Sequence, residues 1–304
     1  MHWAALDRRP DQPVLSLMFR TFGRDVHIRC PDQSAADQLA FIGCSPEIEG
    51  AARERLELEV EAVHGFLRLD TPGRVAVEGS AAVILDALYR LRFEMVRAEC
   101  PGGLFVRGGT MTTDAGHILF VGEAGAGKST LLLHLADLGW PVTGDDQLII
   151  EETLARPFPN SLRIRSGSLP CLSARAGNIV RSSPQIPGWF GQPTYAIEPS
   201  AFGRPWVISW RPLRHVILVE GNHGGSSRLQ PLDRTIAMVE IFKDLLLPAQ
   251  SRARSLAAFN AVMSSADCWR WTLGRLDDAG RLLQELVDVD DCPGSLEVRR
   301  ASRS

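Results

Sequence analysis

Gly122-Glu-Ala-Gly-Ala-Gly127-Lys128-Ser129 is the stretch that decides the fold of this 304-residue chain. It matches the pattern G-x-x-x-x-G-K-[S/T] in full, and an apolar run over residues 117–121 precedes it. The leucine-rich run over 130–138 follows it with the composition of a helix. Strand, glycine loop and helix is the order that this motif requires. The stretch therefore predicts a phosphate-binding loop in an α/β fold.

Each type of residue in this loop has a physical role in binding phosphate. Glycines let backbone N–H groups turn inward around phosphate oxygens, and the N-terminus of the helix adds partial positive charge. We expect Lys128 to bridge phosphate oxygens and the Ser129 hydroxyl to ligate Mg²⁺. The positions predicted to bind the nucleotide are Gly122, Glu123, Ala124, Gly125, Ala126, Gly127, Lys128, Ser129 and Thr130.

An acidic pair follows the loop. Gly144-Asp145-Asp146 begins after the predicted helix, a glycine stop at Gly139 and a short predicted strand. In an α/β sheet this spacing brings the pair to the C-terminal edge of a neighbouring strand, beside the phosphates. Two adjacent carboxylates can divide the work there, one holding Mg²⁺ and one accepting the proton of an incoming hydroxyl. An Asx turn between two strands is the alternative interpretation.

Two other classes of P-loop protein lack their motifs. The guanine-specificity pattern [N/T]-K-x-D is absent, because the chain has only two lysines and Lys243 is followed by Asp244-Leu245. The L-S-G-G-Q signature of ABC-type ATPases is absent as well. The run 216–220 imitates a Walker B strand ending in Glu220, but an ordinary core strand with a glutamate at its rim is the simpler interpretation.

Composition excludes several functional classes. With 45% hydrophobic residues, 23% charged residues and a net charge of −3, the chain has the balance of a soluble globular protein. Its scattered arginines give no electrostatic footprint for nucleic acid. No apolar run approaches the roughly 20 residues of a membrane span, and six cysteines at irregular spacings include no C-x-x-C pair. We therefore expect a cytoplasmic protein without a membrane span.

The chain is expected to divide into a small α+β N-terminal domain (1–100), a P-loop domain (101–287) and a flexible tail (288–304). In the first part, residues 56–63 alternate as a half-buried strand does, although the charged stretch 51–61 also fits a helix. Ser80 is expected to cap a helix that runs to about Cys100, where Pro101-Gly-Gly103 ends it.

In the second part, residues 154–204 are rich in Pro, Gly and Ser and are predicted to form loop with one short helix near 168–176. The portion 181–204 has the composition of a lid over an acceptor site and equally that of an ordinary solvent loop. Helices are expected over 235–247, 251–264 and 278–287.

Two segments of the sequence, around the glycine loop and around the acidic pair, resemble a known protein family. Phe120-Val-Gly-Glu-Ala-Gly-Ala-Gly-Lys-Ser-Thr130 and Leu138-Gly-Trp-Pro-Val-Thr-Gly-Asp-Asp-Gln147 are similar to the catalytic core of HPr serine kinases, above all the shorter HPr-kinase-related kinases. A segment with Ala266-Asp267-Cys268-Trp269, taken as part of a helix, also looks like these kinases. The resemblance extends over about residues 95–287 and is firm over 118–150. It implies a P-loop kinase core similar to that of HPr kinase and phosphoenolpyruvate carboxykinase.

The resemblance also implies ATP and Mg²⁺ as cofactors and a serine-type hydroxyl as phosphate acceptor. It makes Asp145 the catalytic base and Asp146 the metal ligand or helper, with Ser129 as the other metal ligand. Arg163 or Arg165 is suited to neutralise the transferring phosphoryl group. Downstream, Ile164-Arg165-Ser-Gly167-Ser168 only approximates the family's I-R-G-x-G segment, so the acceptor stays open among a protein, a peptide and a small hydroxyl compound.

Two hypotheses from different classes remain at this stage. The first is an ATP- and Mg²⁺-dependent kinase, and the alternative is a nucleotide-dependent regulatory or switch protein without phosphotransfer. Both are compatible with assembly of the chain into a homo-oligomer.

Overall fold

The computed structural model describes residues 15–51, 53–186, 191–222, 224–246 and 252–290. The fold is mixed α/β with several sheets. The α-helices are α1 (Gln33–Leu39), α2 (Ala81–Glu99), α3 (Lys128–Asp137), α4 (Ala174–Ser182), α5 (Arg234–Phe242), α6 (Arg252–Ser265) and α7 (Ala279–Asp290). Short 3₁₀ turns lie at Ala40–Ile42, Ser166–Cys171, Pro199–Phe202 and Leu276–Asp278.

The strands are short, with β4 the longest of those described. Up to residue 100 they are β1 (Leu15–Arg20), β2 (Arg24–Cys30), β3 (Glu47–Ile48), β4 (Glu54–Val63), β5 (Phe66–Asp70) and β6 (Val77–Gly79). They continue as β7 (Leu104–Arg107), β8 (Gly109–Thr113), β9 (Gly116–Val121), β10 (Val142–Gly144), β11 (Gln147–Glu151), β12 (Leu154–Pro157) and β13 (Leu162–Arg165). The last are β14 (Gln185–Ile186), β15 (Thr194–Ile197), β16 (Val207–Ile208), β17 (Leu213–Gly221), β18 (Arg228–Pro231) and β19 (Asp267–Leu273).

The first hundred residues contribute a five-stranded sheet in the order β1-β2-β4-β5-β6, covered by α1 and α2. Residues 54–63 form the strand β4, in which Leu58 and Val60 are buried and Glu59 between them is exposed, so the helical interpretation of 51–61 is wrong. α2 begins after Ser80 as predicted, but the Ser80 side chain makes no capping hydrogen bond. The same apolar cluster includes Phe105 and Phe158, so α2 packs against side chains beyond residue 100.

A six-stranded sheet in the order β10-β8-β9-β17-β19-β18 forms the centre of the second part. β9, β17 and β19 run parallel to one another, and β8, β10 and β18 pair antiparallel. Ile118 and Phe120 of β9 pack with α3 and α7, whereas Leu119 and Val121 pack with α5 and α6. Helices on both faces explain why β9 is apolar at successive positions.

Two strands lie where the sequence pattern indicated something else. Residues 267–273 form β19 and not the helix expected at Ala266–Trp269, because this segment pairs in register with β17. β8 was not predicted either, because Gly109-Thr-Met-Thr-Thr113 has neither a long apolar run nor a clear alternation of apolar and polar residues. β19 forms because it pairs with the distant β17, and β8 forms because it pairs with β9 in a hairpin and with β10.

The segment 154–204 is more ordered than predicted. It contains β12, β13 and β15, and its helix is α4, which lies C-terminal to the expected helix at 168–176. Ser173 begins α4 by accepting a hydrogen bond from the Ala176 amide. These strands are four residues long, and β13 and β15 pair across about 30 residues of chain, as Leu162 does with Ile197. Strands this short leave little periodicity to detect in a sequence.

The C-terminal helix α7 extends to Asp290, so residues 288–290 belong to it and not to the predicted tail. Residues 291–304 lie outside the described part of the chain, as do residues 247–251 between the two helices predicted at 235–247 and 251–264. The division of the chain at residues 100 and 287 stays a prediction. Across the described segments, no helix combines the length and the apolar character needed to cross a membrane.

Candidate functional site

The glycine loop connects β9 to α3, as the sequence pattern predicts. Its first glycine, Gly122, has φ +140°, and a Cβ there would lie 2.3 Å from the carbonyl oxygen of Val219 on β17. Gly125 and Gly127 have φ of +89° and +96°, which is the left-handed region. The loop backbone therefore favours glycine at all three positions, and at Gly122 close packing against β17 excludes a side chain as well.

Lys128 is the first residue of α3, and its ammonium group folds back over the loop. Its Nζ donates hydrogen bonds to the carbonyl oxygens of Gly122 (2.6 Å) and Glu123 (2.8 Å). Burial lowers the pKa of Lys128, while the nearby Asp145 carboxylate opposes this shift. The first amide groups of a helix have no partner within the helix, so this end of α3 joins a cation to backbone donors.

Asp145 follows β10 and is almost completely buried, at 5% exposure. Its Oδ2 accepts hydrogen bonds from the Ser129 hydroxyl (2.8 Å) and the Arg163 amide (3.1 Å), and its Oδ1 accepts one from the Asp146 amide (2.9 Å). Burial raises the pKa of Asp145, partly opposed by these hydrogen bonds. The carboxylate thus ties together the ends of β10, α3 and β13.

Asp146 is placed differently from its neighbour. Its backbone is left-handed, with φ +76°, and its side chain remains one-third exposed. Its carboxylate lies 3.5 Å from the Arg163 guanidinium and 3.9 Å from that of Arg107. The guanidinium of Arg163 in turn lies 4.7 Å from the ring centre of Tyr89 on α2. A strained backbone therefore turns the second carboxylate of the pair toward two cations and open space.

These groups line one cavity of about 510 Å³. Of the sequence-predicted residues, it brings together Ala124, Gly125, Gly127, Lys128, Ser129, Thr130, Asp145, Asp146, Arg163 and Arg165. Gly122, Glu123 and Ala126 belong to the loop backbone and do not line it. Four basic side chains face two carboxylates, an excess of positive charge that suits a phosphate chain.

Six lining residues were not predicted from the sequence as site residues: Arg107, Gly108, Gly167, Ser168, Gln192 and Thr194. Ser168 belongs to the I-R-S-G-S segment and its hydroxyl contacts that of Thr130 at 2.8 Å, so that segment was the available signal. Gln192 and Thr194 lie in the stretch considered as a lid, whereas its aromatic residues Trp189 and Phe190 fall outside the described residues.

Three other residues singled out in the sequence lie away from the cavity lining. Glu220 lies one residue before the end of β17 and forms an ion pair with Arg270, in keeping with a rim glutamate on a core strand. Lys243 is an exposed residue paired with Glu240 at 2.6 Å. His134 lies on α3 and does not line the cavity.

The donor groups fit a magnesium ion that is shared with phosphate better than an all-protein metal cage. In the described part of the chain there is no group of three or more His, Cys, Asp or Glu side chains that could hold a metal. Mg²⁺ bound with a nucleotide needs only one or two carboxylates, with water and phosphate oxygens completing its octahedron. The hydrogen-bonded oxygens of Ser129 and Asp145 supply such a partial set.

No protein-family model and no curated protein matches the chain. Among solved structures, the chain is similar to the HPr(Ser) kinase/phosphatase from Coxiella burnetii, with 15% sequence identity and a TM-score of 0.28. The match covers 60% of this chain and 93% of that one. The likeness is a distant structural one, and by itself it assigns neither an activity nor a substrate to this chain.

Proposed function

We propose that this chain is an ATP- and Mg²⁺-dependent kinase that transfers the γ-phosphoryl group to a serine-type hydroxyl of a protein, peptide or small molecule. The observation that carries the proposal is the hydrogen bond between Ser129 and Asp145 beside Lys128, in the same cavity as Asp146 and Arg163. A loop for phosphates, a metal-binding pair and a second, more exposed carboxylate are the parts that phosphoryl transfer needs.

The nucleotide phosphates would lie along the loop backbone and the first turn of α3. Lys128 would leave its two carbonyl partners for phosphate oxygens, a stronger charge-assisted interaction. Arg107 and Arg165 line the same cavity and would add positive charge around the triphosphate. Gly125 and Gly127 line the cavity and would present their backbone amides to the phosphates without a side chain in the way.

The geometry favours an exchange of the two aspartate roles that the resemblance implies. Asp145 is buried and bonded to Ser129, so this pair of oxygens is placed to hold the metal. Bound Mg²⁺ would neutralise charge on the transferring phosphate and keep the Asp145 carboxylate ionised. Asp146 is exposed to the cavity and has no hydroxyl partner among the described residues, which suits it to accept a proton.

In the transfer step, the acceptor oxygen would form a bond to the γ-phosphorus while the bond to the β,γ-bridging oxygen breaks and ADP leaves. The proton of the acceptor hydroxyl would pass to the Asp146 carboxylate. Arg163 lies beside that carboxylate and would stabilise the negative charge of the phosphoryl oxygens.

Transfer of label from [γ-³²P]ATP to a degenerate library of serine peptides and to water tests this function. Asp146→Asn should lower transfer about 100-fold or more while ATP affinity changes by less than about threefold, since the residue acts on the acceptor. Asp145→Asn should raise the Mg²⁺ concentration needed for half-maximal rate. Lys128→Ala should weaken ATP binding about 100-fold.

Asp114→Asn is the matched control, because Asp114 is an exposed aspartate outside the cavity lining. It should behave as the wild-type protein does. Equal transfer by wild-type and Asp146→Asn proteins would refute the assigned proton acceptor. Tight nucleotide binding with no labelled product under any condition would instead favour the regulatory switch protein.

A further inference from the structure

A second cavity, of about 350 Å³, adjoins the first. Asp146 and Arg163 line both cavities, so the wall between them contains the proposed proton acceptor and its neighbouring cation. The second cavity extends from these two residues to α2, at the end of the first hundred residues. Whatever occupies it would therefore meet the phosphate site at Asp146.

The lining of this cavity is largely apolar. Its apolar and aromatic members are Ala82, Leu85, Tyr89, Phe93, Phe158 and Ile186. The Phe93 and Phe158 rings stack at 6.2 Å between centroids, and Phe158 and Leu85 are each only 2% exposed. A wall of packed rings favours an aromatic or branched aliphatic group, because its burial removes apolar surface from water.

Several polar groups of the lining already bond to protein partners. The buried Arg92 donates hydrogen bonds to Asn160 Oδ1 (2.7 Å) and to the Pro159 carbonyl (3.3 Å). At the surface, Asp86 and Arg90 pair with each other at 2.7 Å. Orientation of a ligand would thus come from Asp146 and Arg163 at the inner end, and most of its binding energy from the apolar wall.

We infer that this second cavity seats the phosphate acceptor, and that the acceptor carries an aromatic or branched aliphatic group beside its hydroxyl. The inference rests on the proposed kinase function and names its substrate class. It also gives the first hundred residues a role, since α2 forms one side of the acceptor site. Its volume accommodates one such group, supplied either by a residue next to a serine in a peptide or by a small hydroxyl compound.

Two pairs of probes distinguish these sources and test the preference. The peptide pair is N-acetyl-phenylalanyl-serine amide and N-acetyl-alanyl-serine amide, and the small-molecule pair is 2-phenylethanol and ethanol. With [γ-³²P]ATP and Mg²⁺, the aromatic member of at least one pair should have a kcat/KM about tenfold or more above that of its partner. The pair that shows the preference identifies the source.

The cavity is tested with Ala82→Trp, because Ala82 is exposed and lines the cavity, so an indole there would fill its open side. Ala98→Trp is the matched control, since Ala98 is exposed on the same helix and does not line the cavity. Ala82→Trp should reduce the aromatic preference to within about twofold and leave the KM for ATP unchanged. Ala98→Trp should retain the preference.

Calorimetric titration with the two aromatic probes, in the presence of ADP and Mg²⁺, measures binding to the cavity without any phosphoryl transfer. At least one probe should bind the wild-type and Ala98→Trp proteins and not Ala82→Trp. Transfer to both members of each pair at equal kcat/KM, or binding that Ala82→Trp leaves intact, would overturn the acceptor assignment while the kinase proposal stands. Failure of the kinase proposal would give a different result: the probe would bind and Ala82→Trp would abolish this binding, but no labelled product would form.

Discussion

We expect the stability of this protein to depend on pH through His117. It lies in β9, the strand that leads into the glycine loop, and it is completely buried. Its Nε2 lies 3.1 Å from the Ala155 carbonyl and 3.2 Å from that of Ser209. Carbonyls only accept, so Nε2 carries the proton and Nδ1 accepts from the Thr112 hydroxyl at 2.8 Å. The folded structure is thus built around a neutral imidazole.

Burial lowers the pKa of His117 from 6.5 to about 4. In the unfolded chain the imidazole takes up a proton below about pH 6.5, whereas in the folded chain it stays neutral until about pH 4. The unfolded state therefore binds more protons in this window, and the free energy of unfolding falls as the pH falls. The shift corresponds to about 3 kcal/mol, fully present above pH 6.5 and lost as the pH approaches 4.

The assay compares wild-type protein with His117→Gln, whose amide can still donate to a carbonyl but does not titrate. Urea unfolding followed by tryptophan fluorescence at intervals from pH 4 to 7.5 gives the free energy of unfolding. The wild-type curve should lose about 3 kcal/mol more than the variant between pH 6.5 and 4, whatever the absolute stabilities. Parallel curves would refute the reasoning, as would NMR titration of the His117 ring with a midpoint near 6.5.

Two further predictions concern the glycine loop and the second lysine. Gly122→Ala should lower the free energy of unfolding, measured in urea, by about 2 kcal/mol or more, because the new Cβ would lie 2.3 Å from the Val219 carbonyl oxygen. At Gly125 a Cβ meets nothing within 4 Å, so Gly125→Ala should cost only the left-handed backbone strain of about 1 kcal/mol. Equal losses for the two variants would contradict the packing argument. Lys243→Arg should have a kcat/KM within about twofold of the wild-type value, because Lys243 is an exposed partner of Glu240. A larger loss of activity in the [γ-³²P]ATP assay would contradict this and would show that Lys243 has a role in catalysis.

Local signals were sufficient for several elements of the fold. The glycine pattern and the leucines after it predicted the loop and α3, because torsional freedom and helical periodicity are properties of neighbouring residues. The alternation over 56–63 predicted β4 for the same reason. β13 and β19 were missed or assigned to another structure because their pairing partners lie far along the chain, whereas β8 was missed because its own residues show neither a long apolar run nor a clear alternation. The segment 154–204 shows this most clearly, as its proline and glycine content concealed several short strands.

For the candidate site too, contiguous motifs could be predicted from the sequence, whereas contacts between distant residues could not. The sequence alone determined that Lys128 and Ser129 follow a glycine loop and that two carboxylates come after the next strand, since each motif is contiguous. Only the tertiary structure decided that Ser129 bonds to Asp145, that Asp146 faces Arg163, and that a second, apolar cavity meets the first at these residues. Adjacent in sequence, the two aspartates differ in burial and in partners. Those differences come from α2, α3 and β13, three elements that are separated along the chain and meet only in the folded structure.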